Sequence, residues 1–302
     1  DTPCLVRGDE PLVFSVSAGL SEVLLSPTIA AIPSDDPQKA MSFLHSLYAF
    51  GVVAVVAVST VFLKVFGHEN WMYLMMLLAL LPLIASAMFM LSPMPDMTSE
   101  SASAGTATAK RKTLGLALFV ACIFFGSCAE NVMSNWISSY TETALHIDKA
   151  VGDLLGMAMF AVLLGAGRMA YSKFGKNIRP VLLGGMFGAA CCYLVAGLAH
   201  SALAAFLACI FTGLFTAMLW PGTLIMMEET LPGVGVAAYA LMAAGGDLGA
   251  SVAPQLMGAV IDKVSASPYV AGLAAGLHLS AEQVGLKAGM LVSAFFPLAG
   301  TV

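Results

Sequence analysis

Apolar residues run along this chain in long stretches separated by short polar breaks. They show neither the two-residue alternation of a half-buried strand nor the polar face of a soluble helix. Crossing a bilayer takes a helix of about 20 apolar residues. Nine stretches meet or approach that length: 11–32, 42–64, 70–91, 114–139, 151–172, 180–199, 202–227, 234–261 and 285–302. The clearest is 180–227, which is 48 residues without an Asp, Glu, Lys or Arg, broken only at His200-Ser201. It predicts two helices joined by a tight turn. Pro27, Pro82, Pro221 and Pro254 fall inside the stretches, as membrane helices tolerate when neighbouring helices re-satisfy the backbone groups that proline frees.

Composition agrees with the pattern. The chain is 59% hydrophobic and 10% charged, against about 25% charged in a soluble domain, and its mean hydropathy is +0.89. This predicts an all-α integral membrane protein and disfavours a transmembrane barrel, whose strands alternate. The net charge of −5 is spread over loops and gives no case for a nucleic-acid partner. Cys4, Cys122, Cys128, Cys191, Cys192 and Cys209 lack the spacing of a disulfide framework or zinc site and read as small packing residues. No phosphate-binding loop is present, so ATP-driven transport is not indicated, and no cofactor or metal is expected.

The loops orient the helices. Residues 93–112, rich in Ser, Thr and Ala and ending in Lys110-Arg111-Lys112, read as a flexible cytoplasmic linker between two bundles, 1–92 and 113–302. Arg168, Lys173, Lys176 and Arg179 read as a second basic loop on the same side, suited to gating. Counting alternate loops places eight Lys/Arg inside (Lys39, Lys110, Arg111, Lys112 and those four) and four outside (Lys64, Lys149, Lys263 and Lys287), as the positive-inside rule asks. Glu228-Glu229 end a helix on the same side, where a salt link to the basic loop is expected.

A repeat underlies the helices. Shifting by 194 residues superposes Gly19-Leu20 on Gly213-Leu214, Leu25 on Leu219 and Pro27 on Pro221. The same shift places Leu47 on Leu241, Ala49 on Ala243 and Gly51 on Gly245. Six helices separate the paired segments, so the repeat unit is six helices in parallel orientation, the internal symmetry of the major facilitator fold. The arithmetic predicts that the nine spans are helices 4 to 12 and that helices 1 to 3 precede Asp1.

Four segments resemble the major facilitator superfamily, and within it the fucose permease-like, proton-coupled sugar symporters. Ala18-Gly19-Leu20-Ser21-Glu22 with Ser26-Pro27 resembles that group's helix 4. Gly126-Ser127-Cys128-Ala129-Glu130-Asn131 with Asn135-Trp136 and Tyr140 resembles its helix 7. Gly167-Arg168, Gly175-Lys176 and Arg179-Pro180 resemble the loop between helices 8 and 9. Gly213-Leu214 to Pro221-Gly222, Gly245-Gly246-Asp247-Leu248-Gly249 and Pro254 resemble helices 10 and 11. The loop departs from the superfamily in one respect: Ser172 stands where an Asp is usual. The resemblance implies two six-helix bundles and a monomeric carrier in the cell membrane, as in a prokaryote's cytoplasmic membrane.

Charges inside the apolar stretches are the candidate site. An ionised carboxylate at the bilayer centre costs about 2.5–3.5 kcal/mol or more, so such residues face a bundle interior or a wet cavity. Glu22 lies mid-helix; the resemblance implies a proton-coupling role, and a structural hydrogen bond is the alternative. Glu130, Asn131 and Asn135, with Asn131 and Asn135 on one helix face and Trp136 adjoining, have the composition of a sugar site, or else of interhelical glue with an interfacial anchor. Asp247 either faces the cavity or caps a loosened helix. His45, one turn from Tyr48, either lines the cytoplasmic mouth or packs, and Trp220 is core or cavity wall. The expected function is symport of a small polar solute, a sugar or related metabolite, with a proton by alternating access. An exporter of drugs or metabolites on the same fold is the alternative. More remote are an intramembrane enzyme or sensor and a fragment that transports nothing.

Overall fold

The computed structural model describes residues 9–95, 106–148 and 151–301. Cys4, residues 96–105 of the expected linker and Lys149 lie outside them. Helix α1 spans Asp9–Ala31, α2 Pro37–Phe66, α3 Trp71–Leu91 and α4 Thr106–Ser139. They are followed by α5 Ala158–Phe174, α6 Ile178–Leu198, α7 Ala202–Thr216 and α8 Leu219–Thr230. The last four are α9 Gly235–Ser265, α10 Pro268–Leu277, α11 Ala281–Ser293 and α12 Phe295–Ala299. Each of the nine expected spans has a helical counterpart. Among the described residues, seven segments are long and apolar enough to cross a membrane.

The helix ends follow local chemistry. Asp36 caps α2, accepting from the Lys39 N–H, with Pro37 in the first turn. Its missing N–H is no loss there. Ser280 and Gln283 close a capping box at α11. Wider π turns continue α4 over Tyr140–Ala144 and precede α5 over Gly152–Met157.

Four features differ from the expected pattern. Residues 106–112 of the expected linker are the first turns of α4. The span 202–227 breaks into α7 and α8 at Ala217-Met218, and the last span breaks at Ala294. Proline explains both breaks: Pro221 and Pro297 cannot donate to the carbonyls four residues earlier, those of Ala217 and Ser293. Helix α10 comes without a span-like signal, opened by Pro268 and stopped by left-handed His278.

The second group, α4 to α12, packs most extensively along α4–α9, α6–α7 and α9–α11. In lipid, close approach rather than water exclusion holds helices together, so small residues sit at the contacts. A side chain on Gly185 would come within 2.5 Å of the Phe215 carbonyl, and one on Gly249 would strike that of Phe124. The first group touches the second chiefly along two lines, α1 on α9 and α2 on α5, with a smaller contact of α2 on α8. Helix α2 buries Met41, Ser42, Ser46 and Ala49 in the half that begins at Pro37. A Cβ on Gly165 of α5 would lie 3.2 Å from that of Ala49.

Candidate functional site

Between those two contact lines lies a cavity of about 540 Å³. Helix α1 lends it Glu22 and Ser26, α2 His45 and Tyr48, α4 Glu130 and Asn131, α5 Arg168, α8 Trp220 and α9 Asp247. Residues far apart in sequence meet here because six helices present polar or aromatic side chains to one space. Elsewhere these helices offer apolar side chains to lipid.

Arg168 is the main correction to the sequence reading. It is not a loop charge. It lies inside α5, 2% exposed, and its donors are divided among α2, α4 and the break between α7 and α8. Nη2 meets the Glu130 carboxylate at 3.0 Å, Nη1 donates to the His45 carbonyl at 3.1 Å, and Nε donates to the Ala217 carbonyl at 2.8 Å. The last is the carbonyl freed by Pro221, so the guanidinium satisfies the group that the helix break exposes. Ser42 of α2 in turn donates to the Arg168 carbonyl at 2.7 Å. One buried cation thus ties the first helix group to the second and neutralises a buried acid.

The other acids sit on the facing side. The carboxyl groups of Glu22 and Asp247 lie within hydrogen-bonding reach of each other across the two groups. Ser26 Oγ and His45 Nε2 are 3.4 Å apart. Asn131 donates to the Ser127 carbonyl at 3.1 Å and to its hydroxyl at 3.2 Å. Gly246 lies against the Trp220 ring, where a Cβ would collide.

Asn135 and Trp136 are not brought to this cavity. Asn135 is exposed and donates to the Asn131 carbonyl at 2.8 Å. The Trp136 indole N–H donates to the Pro254 carbonyl at 3.1 Å. Asn135 shares the face of Asn131 but lies one turn further along α4, beyond the cavity, and Trp136, carried well round the axis from Glu130, packs beside Gly258 on α9. Lys173, Lys176 and Arg179 are exposed at the α5–α6 turn. Glu228 and Glu229 do not link to them: Glu228 accepts from Tyr239 at 2.9 Å and Glu229 from Gln38 of α2 at 2.5 Å. Ser21, Ser26 and Tyr48 complete the cavity wall. Ser26 stands one turn after Glu22, and that spacing is the signal that could have placed it. Among the described residues, no group of three His, Cys, Asp or Glu could hold a metal ion.

Comparison with curated proteins finds none that matches. Among solved structures, the fold is similar to the crystal structure of the E. coli fucose:proton symporter, with a TM-score of 0.64. The likeness covers 94% of this chain and 75% of that one at 17% sequence identity, so it speaks to fold alone. The family model of the Major Facilitator Superfamily matches residues 12–254, a range that holds every residue named above as lining the cavity. The chain therefore belongs to the Major Facilitator Superfamily, whose members are multi-pass membrane transporters.

Proposed function

We propose that this protein carries a small polar solute, a sugar or related metabolite, across the cytoplasmic membrane of a prokaryotic cell by symport with a proton. The observation that carries the reading is the cavity itself, in which Glu22, Asp247 and Asn131 lie with Tyr48 and Trp220 between two helix groups. Hydroxyls of a sugar suit the carboxyl and amide oxygens, and an aromatic face suits its apolar side. Glu22 takes the proton, and the two bundles, residues up to 92 and 113–302, rock about the site as a monomer.

The geometry fits one side being closed. On the side of the basic loop, Ser42, Gln38 and Arg168 join α2 to the second group. Lys173, Lys176 and Arg179 fix that side as cytoplasmic and act in gating.

Uptake of labelled hexoses, L-fucose included, into vesicles holding the full chain tests the reading. Accumulation should require an inward proton gradient, collapse with a protonophore and fail in Glu22→Gln. Gradient-independent flux would sink the symport, and proton-driven extrusion of lipophilic dyes would favour the exporter.

A further inference from the structure

We propose that Glu22 and Asp247 form a proton-held clasp between the two halves of the carrier, so that proton occupancy sets whether α1 stays against α9. The inference rests on the symport reading above and adds to it a second acid and a mechanical consequence.

The two carboxyls come from opposite halves. Glu22 is on α1, and Asp247 on α9 is bound to the second group by the close contacts of Gly245 and Gly249 with α4. Any rocking of one half against the other must therefore separate or rejoin the pair. Both side chains line the cavity, so water and solute reach them when it is open.

The contact depends on a proton. Two ionised carboxylates at hydrogen-bonding reach repel each other, and one proton turns the repulsion into an O–H···O⁻ bond of the strong, charge-assisted kind. The remaining groups around the pair do not supply that compensation. Glu130 faces it from α4 and adds negative charge. Arg168 on α5 is bound to Glu130, His45 and Ala217. His45 and Tyr48 face the cavity from α2, and His45 is beside Ser26. No free cation among the described residues lines the space. When the pair is protonated, one carboxylic acid donates to the other carboxylate and holds α1 on α9. When that proton leaves to cavity water, both groups are anionic and the halves part.

The test reads the distance between halves and transport together. Encoded nitroxide amino acids at Val16 on α1 and Leu256 on α9, 62% and 51% exposed, report the separation on the side away from the basic loop. In vesicles of the full chain, a short distance should dominate at about pH 5.5, and a longer one should grow several-fold by about pH 8.5. Asp247→Asn donates an amide N–H to Glu22 at any pH and should hold the short distance throughout. Asp247→Ala has no partner and should show the long distance throughout. A structural role alone would not abolish the pH response in opposite senses. The clasp is overturned if either variant keeps the wild-type response, or if wild type shows none while sugar uptake is proton-driven. If the distance responds as described but wild-type uptake needs no proton gradient, the clasp is supported and the symport reading falls.

Discussion

Arg168 and Glu130 meet at 3.0 Å inside the bundle, with side-chain exposures of 2% and 13%. Removing one partner of a buried pair leaves the other charge uncompensated. Arg168→Met should therefore destabilise the protein by about 3–5 kcal/mol. Arg168→Met with Glu130→Leu should recover much of that, because no buried charge remains. Recovery stays incomplete, since the Ala217 carbonyl loses its donor at about 1–3 kcal/mol. Unfolding in detergent, followed for the two variants side by side, checks the ordering. A double variant no more stable than Arg168→Met would mean that the pair's charge balance is not what holds this region.

Gly246 and Trp220 test how the cavity wall is set. A methyl at Gly246 would strike the indole ring, so Gly246→Ala must push Trp220 into the cavity or shift α8. Overpacking of this kind costs about 1–3 kcal/mol, and the KM for the transported solute should rise. Gly184→Ala is the control, since nothing lies within 4 Å of the position its Cβ would take. There the change should be neutral or stabilise by about 0.4–1 kcal/mol. Transport kinetics with tryptophan emission separate the two variants.

Asn131 and its neighbours one turn on should behave differently. Asn131 lines the cavity, so Asn131→Ala should raise the KM. Asn135 and Trp136 lie outside it, so Asn135→Ala should leave the KM unchanged. Trp136→Phe loses the bond to the Pro254 carbonyl, and the expected result is a stability loss of about 1 kcal/mol with transport intact. A KM effect in Trp136→Phe as large as that of Asn131→Ala would restore it to the substrate site.

What the sequence made legible follows from which forces are local. Apolar runs set the spans, because a bilayer acts on each helix independently. Glu22, Glu130 and Asp247 stood out because a charge in such a run needs a reason. Arg168 did not stand out: its neighbours Lys173, Lys176 and Arg179 made it look like the edge of a basic loop, and its partners lie 38 to 126 residues away. Pro221 announced a freed carbonyl at Ala217 but not which side chain would take it. The i, i+4 spacing puts Asn135 on the face of Asn131, but it does not say how far along α4 the cavity reaches, and Asn135 lies one turn beyond it. Trp136 adjoins in sequence, whereas its facing is decided by the angle round the helix and by the neighbour, here α9, that packs against it.

Asp36 and Lys39 give a pH prediction outside the spans. Lys39 Nζ lies 2.9 Å from the Asp36 carboxylate, and the Lys39 backbone N–H donates to it at 3.2 Å. The hydrogen bond from the Lys39 side chain holds the Asp36 carboxyl below the usual carboxylate range, and slight burial opposes it. A group whose folded-state pKa is depressed adds stability that is complete above its unfolded value, near 4, and is lost as pH falls through the folded value. Both side chains are 40% exposed, so water screens the ion pair and the helix cap is the larger part. Asp36→Ala should cost about 1 kcal/mol at neutral pH. The gap between wild type and variant should be constant above about pH 5 and narrow below about pH 4. Melting temperatures in detergent across that range measure it. A gap that does not narrow in acid would show that the cap does not depend on the ionised carboxylate.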